Sequence, residues 1–283
     1  MTFKRVYGVD FSGAKLAGEN MWIAETHVRR VGRGVRQELV GLDSVASLCG
    51  SAERGPVMAY LVNRIAASRD ALWAMDFPFG LPIEVMESKA PWSRQLDFLH
   101  GFGDDAYAAG VECLRRAKAL GGPNHIRRCT DHEAKTPFDC YHYRIIFQTF
   151  HGMRDVLGKL SGTKGTAILP FQYRRLPGAT RVLVEACPSS TLKRLNLPHQ
   201  NYKQAAGGPL TPKRRRTRSA IVAGLAGLIS IPAPLSRRIM RNPGGDALDA
   251  VIAAAGGLHA WTTADHPSIA GHARYPREGK LFV

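Results

Sequence analysis

The chain has 283 residues, of which 45% are hydrophobic and 22% charged, a balance that excludes global disorder and suffices for one substantial core. Its 39 Lys and Arg against 23 Asp and Glu leave a formal net charge of +16, so a polyanion is the first partner to consider. No apolar run reaches the roughly 18 residues that span a bilayer, and the longest, residues 220–231, falls well short.

The N-terminus carries Lys4 and Arg5, but Asp10 interrupts what would be the apolar part of a signal peptide. Five scattered cysteines, an odd number with no C-x-x-C pair, fit reduced thiols, and the expected location is the cytoplasm.

Residues 5–11 (RVYGVDF) are rich in β-branched and aromatic side chains and stop at Ser12-Gly13, which predicts a strand and a turn. Residues 21–30 and 37–42 read as a hairpin around Gly32-Arg33-Gly34. Val57, Leu61 and Ile65 recur at helical spacing over 57–68, and residues 71–76 (ALWAMD) form a buried strand that Pro78 and Pro82 forbid to continue. Helical patterns over 92–120 and 141–160, around a polar stretch at 121–139, predict a mainly helical insertion over 91–165. Residues 181–186 (RVLVEA) resume the strand pattern, and Ser189-Ser190 can cap the short helix after it. A helix over 211–229 opens at Pro212, and a last one over 246–258 follows Gly244-Gly245. The expected fold is α/β: a single domain over 1–283, with a mixed sheet flanked by helices in the element order of an RNase H-like core.

Five acids punctuate this order: Asp10 in the first strand, Asp76 ending the fourth, Glu185 in the fifth, and Asp246 and Asp249 on the closing helix. An acid inside an apolar strand must be paired, protonated or bound to a metal. Asp246 and Asp249, three apart, share a helix face. Oxygen donors of this kind suit Mg2+ or Mn2+, which activate water and stabilise the leaving oxygen of a phosphodiester. Each acid also has a structural reading. Asp10 can pair with Lys15, Asp76 can close an Asx-turn before Phe77-Pro78, Glu185 can pair with Arg181 or Lys193, and Asp246 can cap the closing helix.

The segments GVDFSGAK (8–15), MDFPFGLP (75–82), VEACPSSTLKRL (184–195), YK (202–203), GGDALDAVIAAAGG (244–257) and YPREGKLFV (275–283) resemble the domain of unknown function 429 family, regarded as nucleases of the RNase H-like superfamily. The resemblance runs from one end of the chain to the other and is weakest in the middle. It implies a metal-dependent nuclease in which Asp10, Asp76, Glu185 and Asp249 are catalytic, Asp246 joins Asp10, Glu185 and Asp249 in holding metal, and Arg128 and Asp131 are further matches.

Lys213, Arg214, Arg215, Arg216 and Arg218 crowd the start of a helix, where cations oppose the macrodipole and call for an anion. With Arg127, Arg128 and Lys203, and with Arg237, Arg238 and Arg241 beyond, they form the expected phosphate-binding surface for DNA or RNA; a solvated basic face is the bland alternative. His125, Cys129, His132, Cys140 and His142 fit no standard zinc spacing, and loop histidines with buried thiols are the default. Two rivals to the nuclease stay open. GVDFSGAK also resembles the first phosphate loop of actin-like ATPases and sugar kinases, and the acids of a non-catalytic nucleic-acid-binding protein would merely cap strands and helices.

Overall fold

The computed structural model describes all residues except Met1, Arg33, Ser88 and Ala206. Strand β1 (Arg5–Asp10) is buried from Val6 onward because apolar side chains leave it on both faces. It pairs in parallel with β4 (Ala71–Asp76) and antiparallel with β2 (Trp22–Val31), which turns into β3 (Gly34–Ser44). Within the expected turn, Arg33 lies outside the described residues. Beyond β4 lie β6 (Arg181–Glu185) and then β5 (Thr166–Ile168), both parallel, while β7 (Ile229–Ser230) adds to β3. The result is one seven-stranded mixed sheet in the order β5-β6-β4-β1-β2-β3-β7.

Both faces are covered. Tyr7, Val9, Trp73, Met75 and Leu183 point to one face, under the helix Arg54–Ala67 and the helical segment between β4 and β5. Val6, Leu72, Ala74, Val182 and Val184 point to the other, under the closing helix Asp246–Thr263 and the helix Pro188–Arg194. That alternation is the period of two of a pleated strand. Among the described residues no helix is long and apolar enough to cross a membrane.

The closing helix lies unusually close to the sheet, which is what brings its acids to the strand ends. A Cβ on Gly8 would stand 2.0 Å from the Ala250 carbonyl oxygen, and one on Gly257 would stand 2.5 Å from the Ala74 Cβ. Only glycine at both positions lets helix backbone rest against β1 and β4.

The structure amends several expected elements. The helix read over 211–229 ends at Gly224, and Ile229–Ser230 is strand instead. Strands β5 and β7 have three and two residues, too few to carry a periodicity. The helix Ala233–Arg241 was not anticipated. The helix Pro188–Arg194 starts one residue before Ser189, so neither serine caps it.

Candidate metal centre

Asp10 and Asp76 are direct partners in the parallel β1/β4 register, and parity places both side chains with Val6, Leu72 and Ala74 on the face that carries the closing helix. Asp249 stands on the first turn of that helix, one residue before the Ala250 that touches Gly8. One carboxylate oxygen from each of Asp10, Asp76 and Asp249 lies within 4.8 Å of the others. Among the described residues this is the one such convergence of acids, His or Cys. Asp10 is 7% exposed and Asp249 1%.

Among the described residues these three close carboxylates share a single ion-paired cation. Lys203 forms an ion pair with Asp249 Oδ2, and Tyr202 donates a hydrogen bond of 2.9 Å to Asp249 Oδ1. Burial pushes the Asp10 carboxyl well above the usual range; Lys203 works against this, and the charges of Asp249, Asp76 and Asp246 add to it. Asp76 is pushed up to about 8, by burial and then by Asp249. Lys203 is held protonated by Asp249. At neutral pH the group therefore retains protons that a bound cation would displace. Its all-oxygen donor set suits a hard cation.

Glu185 does not join this group. Its register partner is Met75, so it leaves the sheet with Leu183 on the opposite face, one position out of phase with Asp76. There the Arg128 guanidinium donates to both its oxygens at 2.8 and 2.5 Å, and the Phe79 amide adds a third bond at 2.9 Å. Neither Arg181 nor Lys193 pairs with it; they bond carbonyls of Ser68 and Lys135. Asp246 is raised by burial and half-exposed in the helix's first turn, outside the convergent trio. Asn242, not Asp246, caps that helix, its Oδ1 accepting from the amides of Gly245 and Ala247 at 2.9 and 3.1 Å.

The basic set divides as well. Arg128, 1% exposed, spends its remaining donors on Asp131 at 2.9 and 3.0 Å and on the Glu278 carbonyl at 3.1 Å, so it is a buried structural cation and not a phosphate contact. Arg218 is fully buried and donates to the carbonyls of Tyr202, Ile239, Asn242 and Pro243, tying the loop that carries Lys203 to the helix Ala233–Arg241 and the turn before the closing helix; it too is withdrawn from solvent. Arg127 is half-buried and donates to the Pro137 carbonyl. Lys213, Arg215 and Arg216 are exposed, while Arg214 is half-buried with its Nε on the Lys203 carbonyl. Arg215, Arg237 and Arg241 line one shallow groove.

The trio opens into a cleft of about 420 Å³ whose walls include Phe138, Ile145 and Gln148 from the helical insertion and Asn201, Tyr202 and Lys203 from the loop opposite. His125, Cys129, His132, Cys140 and His142 do not converge. His125 bonds Asp139, Cys129 bonds Glu133, and Cys140 is buried beside Asp131. Lys15 lines a different depression, with Glu53 and Asp104, away from Asp10. Compared with family models, curated proteins and solved structures, the chain matches none of them.

Proposed function

We propose that the chain is a metal-dependent phosphodiesterase that cuts DNA or RNA, with Asp10, Asp76 and Asp249 holding Mg2+ or Mn2+. The convergence of these three carboxylates carries the reading. Two further features support it. The strands run β3-β2-β1-β4-β6, antiparallel across β2 and parallel from β1 to β6, with acids at the ends of β1 and β4 and on the closing helix, as in an RNase H-like core and as the resemblance to the domain of unknown function 429 family implies. An exposed basic surface also adjoins the Lys203 loop.

A divalent ion there supplies Lewis acidity and an activated water. The chain's own residues do the rest. Gly8 and Gly257 seat the closing helix so that Asp249 faces Asp10; Tyr202 and Lys203 orient Asp249; and exposed Lys213, Arg215 and Arg216 draw in a phosphate backbone. Glu185 with Arg128 braces the cleft floor.

The test is cleavage of single-stranded, duplex and branched DNA and RNA with and without Mg2+ or Mn2+, by wild type and Asp10→Asn. Losing a group behind a metal ligand lowers activity by about 10- to 100-fold, so removing a ligand should cost more than about 100-fold. Activity indifferent to EDTA or to Asp10→Asn would end the proposal, and ATP hydrolysis without nucleic acid would favour the phosphotransferase rival.

A further inference from the structure

The insertion side of the cleft carries a feature that neither folding nor metal binding uses. Phe138 lines the cleft beside the acids. Its ring stacks on His142 with centroids 4.5 Å apart, and His142 in turn lies 4.5 Å from Tyr143. The Arg144 guanidinium sits 5.5 Å from the Phe138 ring and 5.7 Å from the Tyr143 ring. Tyr143 is 65% exposed, and its hydroxyl meets only the Arg144 Nε, at 3.1 Å, among the described residues. Four π-bearing side chains thus form a ridge that starts at Phe138 in the cleft lining and ends in water at Tyr143, while Lys203 lines the same cleft and the basic helix reaches its loop through Arg214.

We infer that this ridge is a stacking platform for unpaired bases, so that the substrate class is single-stranded nucleic acid or the single-stranded part of a branched one. The inference rests on the proposed phosphodiesterase reading and names its substrate. Every base offers a π face, so aromatic and guanidinium planes bind single strands with little regard to sequence. Bases inside a duplex are stacked on one another and have no free face to offer. A ridge running from Phe138 in the cleft lining out to solvent at Tyr143, with the acids and Lys203 in the same cleft, matches a strand whose phosphates reach the acids while its neighbouring bases stack outside. Charge argues against a purely apolar protein segment here, because Arg144 lies by the rings and would be desolvated beneath an apolar partner.

The experiment is fluorescence anisotropy in EDTA with a labelled oligothymidylate and a duplex of equal length, on wild type, Tyr143→Ala and Tyr143→Phe. Tyr143 is exposed enough that neither substitution threatens folding. Tyr143→Ala should weaken single-strand binding about tenfold, Tyr143→Phe should keep it within about twofold, and duplex binding should stay unchanged. Unaltered single-strand affinity in Tyr143→Ala, or an equal loss for both substrates, overturns the platform and leaves the ridge to a protein partner. Wild type that binds neither oligonucleotide overturns the platform and the phosphodiesterase together. The expected losses in a protein that cuts nothing with Mg2+ or Mn2+ uphold the platform and overturn the cleavage reading.

Discussion

Two sets of buried acids share one cleft, and they are solved in opposite ways. Glu185 and Asp131 surround Arg128, whose guanidinium gives each a two-point contact. Asp10, Asp76 and Asp249 converge within 4.8 Å and have, among the described residues, one ammonium, on Asp249. The first set is complete within the chain; the second is short of positive charge. Burial alone therefore does not distinguish a functional acid from a structural one. The distinction lies in whether the fold itself delivers the countercharge.

The largest effect should come from breaking the complete set. Arg128→Met leaves Glu185 and Asp131 buried without their cation and should destabilise the protein by about 3–5 kcal/mol, seen as a fall in the denaturant midpoint. Adding Glu185→Gln should recover part of the loss. If Arg128→Met unfolds at the wild-type midpoint, the two sets are not different in kind.

The same operation on the incomplete set should have the opposite sign. Asp10→Asn removes an acid from a mutually repulsive buried group and should stabilise the metal-free protein at pH 8. It should also abolish stabilisation by Mn2+, which calorimetry of both proteins with and without the ion would show. A destabilised Asp10→Asn would make Asp10 a structural acid.

The pH dependence follows from Asp76. Unfolded, its carboxyl titrates near 3.8; folded, burial and Asp249 push it up to about 8. Between these values the folded chain keeps a proton that the unfolded chain has lost. Metal-free stability should therefore fall as pH rises through that window. A bound cation replaces the proton, so the gain in melting temperature from Mn2+ should grow with pH. A metal gain that is flat from pH 5 to pH 8 would dissociate the trio from the metal.

Much of this was legible in the chain. The strands at 5–11 and 71–76 announce themselves by apolar runs stopped by Ser-Gly or Pro, and their terminal acids are visible for that reason. Glu185 looks the same, yet its role depends on phase. One register step decides which face a strand residue takes, and nothing local states whether Glu185 or Ala186 aligns with Asp76. Long-range partners are equally silent: Arg128 meets Glu185 across 57 positions, and Arg218 looks like its exposed basic neighbours until the carbonyls of residues 202–243 close over it. The Tyr202-Lys203 dipeptide carried a signal through resemblance, but its destination, Asp249, did not.

The smallest effect on stability, and the cleanest separation of surface from core, should come from the basic helix. Arg218 apart, its cations at 213, 215 and 216 are exposed, so replacing Lys213, Arg215 and Arg216 together by Ala should shift stability by no more than about 0.5 kcal/mol per site. Arg218→Ala, by contrast, should behave like Arg128→Met, because it takes the guanidinium from the buried carbonyls of Tyr202 and Ile239 and loosens the Lys203 loop. Binding should rank the other way for the triple variant. Each phosphate contact releases about one counterion, so the slope of log affinity against log salt should fall by roughly two to three on losing three contacts. A phosphate contact carries no base information, so the loss should be similar for single strands of different sequence. An unchanged slope in a folded triple variant would remove this helix from the nucleic-acid path and leave Lys203, inside the cleft, as the nearest cation to the substrate.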